Sequence, residues 1–532
     1  MPKLTLDNQE VTVPAGATIL DAARQLGVPI PTLCHLPGRP AQCSCLVCLV
    51  EVNGGERLLP ACGTVATEGM TVVSESAEVH AARRMALELL LGDHRGDCLG
   101  PCQGVCPAHL DLPKMLEQIA AGCLREALIT VKQRLALPAC LGRVCAAMCE
   151  RGCRRGTVDA PVSLRLLKRY VADVDLAAAE PYLPPAAPPT GRRAAIVGAG
   201  PTGLSAASYL RQAGHAVTIY EQADQPGGGL RQADLPAEVL QAEAALILRQ
   251  GVELVSRRRV TPEDLAALRA SYDAVLLAVG EVKSNSGATL GLPAGPQGLL
   301  AHDYALLDEP GLFAAGSTLS PSRHAARACG EGYGAAQAIN AFLRGEPDYP
   351  REDLLTVRMG KLSAEELAER AGESSSAARV TPAGGEATGF SPTEAAGEAE
   401  RCLHCECAKL HACALRAQAI RYQAHLGHFR GDKLPGHLDL THPEVVYDPG
   451  KCIACGICVR LAEEAGEPLG LALVGRGLGM RPAVPFGEGL AGGLTRAAAA
   501  CVAACPTGAL AWRQHLTADS ACTDSGEDQD ER

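Results

Sequence analysis

Apolar and polar residues alternate through KLTLDNQEVTV (3–13), the two-residue period of a half-buried strand pair, and switch to a helical period in ATILDAARQLG (17–27). Together they predict a hairpin and a helix opening a small β-rich domain. Farther along, RRAAIVGAGPTGLSAASYLRQAGHAVTIYEQ (192–222) predicts a buried strand, a Gly-rich turn, a helix and a second strand. Low-complexity stretches separate the patterned blocks. Residues 177–192 are Ala/Pro-rich and predict a semi-rigid linker; 351–400, which include GESSSAARVTPAGGEATGFSPTEAA, predict a second. The acidic tail 516–532 has nothing apolar to bury, which predicts disorder. No window approaches about 18 uninterrupted apolar residues, and the N-terminus lacks a basic stretch followed by an apolar run. The chain is expected to be soluble and cytoplasmic, without a membrane span.

Composition changes this picture in one respect. A length of 532 residues predicts several domains, but 24 Cys against 5 Phe and 1 Trp is more thiol than packing needs in a chain that is 47% hydrophobic and 3% aromatic. In a reducing compartment, clustered thiols point to metal rather than to crosslinks. They fall into four groups, 34–62, 98–153, 402–413 and 452–505, with Cys329 and Cys522 well outside. The net charge of −11 argues against a nucleic-acid partner.

In the first group, Cys34, Cys45, Cys48 and Cys62 are separated by ten, two and thirteen residues. A 2Fe-2S cluster needs four thiolates converging on one site, and a Cys-x-x-Cys corner supplies two of them. The segment resembles the β-grasp ferredoxin domain that opens the large iron-sulfur subunit of complex I and the iron-only hydrogenases. That family normally has Gly where this chain has Cys43, which is read as a spare thiol.

The second group begins with HRGDCLGPCQGVCPAHLDL, where His94, Cys98, Cys102 and Cys106 stand four positions apart, and continues with Cys140, Cys145, Cys149 and Cys153 in LPACLGRVCAAMCERGCRRG. Two runs separated by a helical hairpin suit two cubane clusters. The strings CP-x-x-x-D-x-P, GRVC and CRRG resemble the N-terminal helical domain of the glutamate synthase small subunit and of dihydropyrimidine dehydrogenase. The resemblance implies one 4Fe-4S cluster on Cys98, Cys102 and Cys153 and another on Cys106, Cys145 and Cys149, each short of a fourth ligand. His94 precedes Cys98 by the same gap as the ligand histidine of the complex I large subunit and is the candidate for the first; a surface histidine at a helix end is the alternative. For the second, the position that the family fills with Gln or Glu is Lys168, a poor ligand, so a neighbouring side chain completes that cluster or it stays incomplete. The family's cysteine at 141 is Leu141 here, and Cys140 beside it is not counted as a ligand.

In the central block Gly198 makes the tight turn, Gly200 lets the backbone approach a pyrophosphate, Gly203 permits close helix–strand packing, and Glu221 can take ribose hydroxyls. PGGGLR (226–231), YDAVLLAVG (272–280) and PGLFAAGS (310–317) resemble the FAD domain of the glutamate synthase small subunit. This implies a flavin site that includes Gly228, Leu230, Arg231, Gly280, Gly316 and Ser317. That family inserts a complete NADPH-binding domain between the last two motifs. Here only 281–309 fill the gap, without a second fingerprint, and a βαβ unit alone takes about thirty residues. Ser317 replaces an acidic residue of the family and the segment after Arg231 is shortened to QADLP, so a vestigial flavin site is the alternative.

Cys402, Cys405, Cys407 and Cys413 lie within one short string, RCLHCECAKLHAC. Four thiolates also suit zinc, but the neighbouring iron motifs favour a cluster. KCIACGICVRLAEEAG and CVAACPTGAL resemble a two-cluster bacterial ferredoxin, in which the fourth Cys of each run serves the other run's cluster. The resemblance implies one cubane on Cys452, Cys455, Cys458 and Cys505. The second is lost, because its positions read Ala462, Thr495 and Ala498, with Cys501 orphaned.

The expected fold is multidomain, α/β and α+β. It comprises a β-grasp 2Fe-2S domain (1–80), a helical 4Fe-4S domain (81–176), a Rossmann-like FAD-binding domain lacking the NADPH insertion (193–350), a Cys-rich cluster segment (401–425) and a bacterial ferredoxin-like domain (440–515). The expected cofactors are one 2Fe-2S cluster, about four 4Fe-4S clusters and FAD. No pattern supports a hydrolytic triad, a paired-carboxylate site or a P-loop. Clusters move single electrons and a flavin exchanges two for one. The reading is therefore an electron-transfer subunit of a hetero-oligomeric oxidoreductase. It would wire a catalytic partner, of formate dehydrogenase, hydrogenase or NAD(P)H-oxidising type, to an acceptor such as ferredoxin or another redox protein. The alternatives are a free-standing NAD(P)H-dependent reductase and a scaffold with structural clusters.

Overall fold

The computed structural model describes residues 1–55, 57–282, 290, 292, 298–306, 309–346, 355–372, 374–429, 431–433, 437–513 and 522. The tail expected to be disordered lies outside the described residues apart from Cys522, as do parts of the 281–309 segment. The chain divides into two compact units, one of Met1–Leu99, Asp353–Arg370 and Glu406–Leu516, the other of Gly100–Glu352, Ala371–Cys405 and Thr517–Arg532.

In the first unit the alternating segment forms the hairpin Lys3–Leu6 and Gln9–Thr12, closed through Asp7 and Asn8, both with positive φ as a tight hairpin turn requires. The hairpin joins a five-stranded mixed sheet in the order Gln9–Thr12, Lys3–Leu6, Thr71–Val73, Leu49–Val52, Leu58–Pro60. Helix Ile19–Gln25 starts at a capping box of Thr18 and Asp21 and buries Ile19, Leu20, Ala22 and Ala23 in the same core as Leu4, Leu6, Val50 and Val72. In the C-terminal part, Val445–Tyr447 pairs antiparallel with Leu510–Trp512, and helix Ile457–Glu464 packs on Ala498–Ala504.

The unit does not end at residue 80. Helix Ala77–Asp93 belongs to it: it buries Val79, Ala86, Leu87 and Leu91, and its two buried charged residues reach partners distant in sequence. Arg83 is fully buried and donates to the Leu49 carbonyl at 3.0 Å and the Tyr422 hydroxyl at 2.7 Å; Glu88 accepts from the His425 amide at 2.8 Å. The compact unit thus runs past the expected domain end at residue 80, to Leu99.

The second unit opens with short helices, among them Pro101–Val105, Leu112–Ala120, Pro138–Val144, Met148–Arg151 and Leu164–Leu176. A parallel sheet follows in the order Leu312–Ala314, Ala274–Leu277, Arg193–Val197, Ala216–Tyr220, Val252–Val255, extended at one edge by Ala301–His302 and Ala305–Leu306. Residues 177–192 form neither helix nor strand.

The second expected linker, 351–400, contains helices and buried side chains among its described residues. Helix Pro392–Ala399 presents Ala395, Glu398 and Ala399 to the core. Glu398 accepts from the Ser163 and Val380 amides, both at 2.7 Å, and pairs with fully buried Arg401 at 3.0 Å. Small residues make this stretch look like low complexity, while a buried ion pair anchors it. No described helix is long and apolar enough to cross a membrane.

Candidate functional site

The loop after helix Ile19–Gln25 bends at Cys43 and Leu46, both with positive φ, and brings Cys34, Cys45, Cys48 and Cys62 into buried positions. They stand in two pairs. The Cys45 hydrogen bond draws the Cys34 thiol down to about 5, while Cys45 itself is pushed up. Cys48 and Cys62 are 3.4 Å apart, and Cys62 draws Cys48 down to about 7. Two thiolates for each of two irons is the donor set of a 2Fe-2S cluster. Among the described residues no three His, Cys, Asp or Glu side chains close a ligand shell by themselves.

The unit boundary falls between Leu99 and Gly100 and again between Cys405 and Glu406, so it divides two cysteine groups that the sequence keeps together. In the first unit the Cys407 amide donates to the Cys98 carbonyl at 3.1 Å. Burial raises the Cys98 and Cys413 thiols, and the charges of their neighbours, Cys407 for both and Cys98 for Cys413, add to it. His94 is only 6% exposed, and its Nδ1 has no hydrogen-bond partner among the described residues. Burial first and Lys451 second push it down to about 4, which leaves the neutral imidazole that a metal binds. This burial removes the surface-histidine alternative. Lys451 also faces Cys407 and Cys98.

In the second unit Cys102, Cys106 and Cys402 share one core, and Cys145, Cys149 and Cys153 pack against it. Arg155, two residues beyond Cys153, donates to the Arg401 carbonyl at 3.2 Å, beside Cys402. Cys405 lies three residues farther, at the end of the segment that belongs to this unit. Cys106, Cys145 and Cys149 form a second group: burial pushes Cys149 up to about 12, and Lys168, Cys106 and Cys145 all bear on it. Cys98 is assigned to the first compact unit, and Cys102 and Cys153 to the second. Cys140 is tied to buried Glu243, whose carboxylate accepts from the Ala139 and Cys140 amides at 2.7 and 2.8 Å. Cys123 and Cys522, both left unassigned by the sequence, form a disulfide.

Cys452, Cys455 and Cys458 surround the start of helix Ile457–Glu464, and Cys505 caps the end of helix Ala498–Ala504. All are neighbours, since the charges of Cys452, Cys455 and Cys505 bear on Cys458, as does that of the orphaned Cys501. The positions of a second cluster are filled. Ala462 and Cys501 are fully buried among Leu471, Val484, Leu490 and Leu494. Glu467 accepts from the Thr495 hydroxyl and the Arg496 and Ala497 amides at 2.6, 2.5 and 2.7 Å. The thiol groups of this unit also adjoin one another. Cys34, Cys45, Cys98 and Cys455 belong to one core. Arg460 donates to the Cys34 carbonyl at 3.2 Å, and Lys409 to the Cys505 carbonyl at 2.8 Å.

In the second unit a cleft of about 1160 Å³ opens at the carboxyl ends of the parallel strands, lined by Gly198, Gly200, Glu221, Gly228, Leu230, Gly280 and Ser317 among others. A Cβ on Gly200 or Gly280 would meet nothing within 4 Å, so both face open space. Gly228 lies against Gly200, where its Cβ would stand 2.8 Å from the Gly200 Cα. Glu221 is aimed by the Ala199 and Ala223 amides, which donate to it at 2.7 and 2.8 Å. Three expected residues are not in the wall. Gly203 packs on the Gly198 carbonyl, Gly316 packs on Thr202, and Arg231 turns to Asp224 at 3.5 Å. The lining also includes Thr202, Arg258, Arg259, Arg323 and His324. The run of arginines after strand Val252–Val255 was a visible signal that motif matching passed over. Open backbone at a helix N-terminus, an aimed carboxylate and nearby guanidinium groups fit a dinucleotide.

Residues 2–77 match the family model of a 2Fe-2S iron-sulfur cluster binding domain, 94–180 that of dihydropyrimidine dehydrogenase domain II, 4Fe-4S cluster, and 196–252 that of an NAD(P)-binding Rossmann-like domain. The chain is a modular iron-sulfur protein with 2Fe-2S, helical 4Fe-4S and Rossmann-like dinucleotide domains. It is similar to the NADP(+)-dependent formate dehydrogenase subunit beta of Moorella thermoacetica, at 38% identity over 34% of this chain and 29% of that one. It is also similar to the NADPH-Fe(3+) oxidoreductase subunit beta of Geobacter sulfurreducens, at 36% over 39% and 32%. A third relative is the NAD-dependent dihydropyrimidine dehydrogenase subunit PreT of Salmonella typhimurium, at 38% over 34% and 45%. All three are oxidoreductase subunits, and this chain spans less than half the length of each.

Proposed function

We propose that this chain is an electron-transfer subunit of a multi-subunit oxidoreductase, relaying electrons between a catalytic partner and an acceptor. The observation that carries this reading is the first unit, where thiol groups from three distant stretches of sequence border one core. A metal site kept only for folding needs no such neighbour.

The reading assigns five ligand sets. Cys34, Cys45, Cys48 and Cys62 hold a 2Fe-2S cluster. In the same unit His94, Cys98, Cys407 and Cys413 hold one 4Fe-4S cluster, and Cys452, Cys455, Cys458 and Cys505 another. In the second unit Cys102, Cys153, Cys402 and Cys405 hold a third, and Cys106, Cys145 and Cys149 a fourth, with Lys168 beside its open corner. This partition gives four donors to every set but the last and uses every thiol expected to bind metal. The cleft takes FAD, with the diphosphate at Gly200 and Gly228 and the ribose on Glu221. A flavin, when bound, exchanges two electrons with a donor and single electrons with clusters. Gly280 and Ser317 form part of the wall around it.

The match of 196–252 to an NAD(P)-binding model favours a second reading, in which the cleft itself takes a nicotinamide and the chain is a reductase in its own right. One experiment separates the two. NADH or NADPH is added anaerobically to the purified chain while the flavin and cluster absorbance is followed, with dithionite as the positive control. The relay reading expects reduction by dithionite and none by either nucleotide, and prompt bleaching by NAD(P)H establishes the second reading instead. Centres that stay oxidised under dithionite would mark a structural scaffold.

A further inference from the structure

Cys43 stands beside the 2Fe-2S thiols without belonging to the set of four. Its backbone has φ of 52°, in the left-handed region that favours glycine, so the position holds a side chain at a conformational cost. Its Sγ lies 3.8 Å from the Sγ of Cys62. Two thiolates on one tetrahedral ion, each at about 2.3 Å, are separated by about 3.7 Å. Gly63, which follows Cys62, makes the space for this sulfur, because a Cβ there would collide with Cys43 Sγ. The loop thus delivers a fifth sulfur at ligand spacing from one member of the set.

We propose that Cys43 is an exchangeable ligand of the 2Fe-2S cluster, able to replace Cys62 on its iron; this rests on the cluster assignment made above. In the exchange the iron bond to the Cys62 sulfur breaks, a bond to the Cys43 sulfur forms, and the Cys43 proton passes to Cys62. No electron moves. Among the described residues the sulfur contact of Cys43 is with Cys62, so the exchange belongs to the Cys48 and Cys62 pair and not to Cys34 and Cys45.

The test uses the full chain, reconstituted anaerobically with iron and sulfide and reduced with dithionite. The readouts are iron and acid-labile sulfide content and the EPR signal of the reduced 2Fe-2S centre, recorded warm enough for 4Fe-4S signals to relax away. The unmodified protein must show that signal, and its absence there overturns the cluster assignment itself. Given the signal, Cys62→Ser and Cys62→Ala are expected to retain it at near-full intensity with shifted g values, and Cys43→Ala to retain it unshifted. Cys43→Ala/Cys62→Ser is expected to lose it, with about two irons fewer. Gly63→Ala in the Cys62→Ser background is expected to do the same, since the added methyl displaces Cys43. Cys34→Ser, which has no fifth thiol beside it, is expected to lose the signal alone. Loss of the signal in both Cys62 variants, whether through the cluster or the fold, overturns the exchange and leaves the cluster assignment standing. Retention in the double variant also overturns it.

Discussion

At the scale of single residues, the second and third glycines of the dinucleotide turn have opposite physical roles, as the motif implies. A side chain on Gly200 would enter open cleft, and its φ of −74° suits any residue. A side chain on Gly203 would strike the Gly198 carbonyl. Gly200→Val is therefore expected to leave thermal unfolding almost unchanged while the purified protein loses its flavin absorbance. Gly203→Ala is expected to cost about 1–3 kcal/mol of stability, read from denaturant unfolding. Equal effects of the two variants on both measurements would remove the cleft from the binding site. Glu467 offers a second case. Burial pushes its carboxyl up, but hydrogen bonds from Thr495, Arg496 and Ala497 outweigh this and hold it down at about 2. A depressed folded value means that the stabilisation is complete above about pH 4.5 and fades as pH falls toward 2. After screening at this partly exposed site, Glu467→Gln is expected to lower stability by about 1 kcal/mol from pH 8 to 5, with the difference closing below pH 4.5. A pH-independent difference would show that the carboxylate charge is not what caps the segment. The missing cluster ligands were legible at Ala462, Thr495 and Ala498. The carboxylate that fills in for them was not, because no motif records a glutamate recruited from another loop.

At the scale of elements, strands and turns with strong local signals were legible, whereas packing made by isolated polar contacts was not. The hairpin at Asp7 and Asn8 and the strand–turn–helix at Gly198 declare themselves through period and turn chemistry. The 372–396 stretch does not, since small residues dominate it and its anchors, Glu398 and Arg401, look like ordinary surface charges. Buried together, they behave otherwise. Glu398→Ala would leave the Arg401 guanidinium buried with only Asp159 and backbone carbonyls, and would free the Ser163 and Val380 amides. The expected cost is about 3–5 kcal/mol in unfolding of the second unit. Glu400→Ala, one turn-position away and exposed, is expected to cost under about 0.5 kcal/mol. A flexible linker would make the two variants indistinguishable. The same reasoning explains why the compact unit runs on past residue 80. Arg83 and Glu88 hold helix Ala77–Asp93 to partners more than 330 residues away, at Tyr422 and His425, and nothing local in the sequence announces such a contact.

At the scale of the whole molecule, the two readings of the thiols make opposite statements about which cysteines act together. Spacing and resemblance join Cys98 to Cys102 and Cys153, and keep 402–413 as one knot. The division into compact units falls between Leu99 and Gly100 and between Cys405 and Glu406, and the sets proposed above follow it, joining Cys98 to Cys407 and Cys413, and Cys402 and Cys405 to Cys102 and Cys153. Ligands of one cluster fail together, so iron content in double variants decides between them. Under the grouping made by the fold, Cys98→Ser and Cys407→Ser each remove about four irons, and the double variant removes no more than either single one. Cys98→Ser/Cys102→Ser, by contrast, strikes two clusters and removes about eight. The grouping by sequence proximity expects the reverse, about four irons lost in the 98/102 pair and about eight in the 98/407 pair. His94→Ala adds a third arm. As the remaining donor of the first-unit set, it is expected to alter the EPR signal that Cys98→Ser abolishes while leaving the signal lost in Cys102→Ser untouched. An unchanged spectrum in that variant would leave Cys98, Cys407 and Cys413 as a three-thiolate site, with the same incompleteness that Lys168 marks in the other unit.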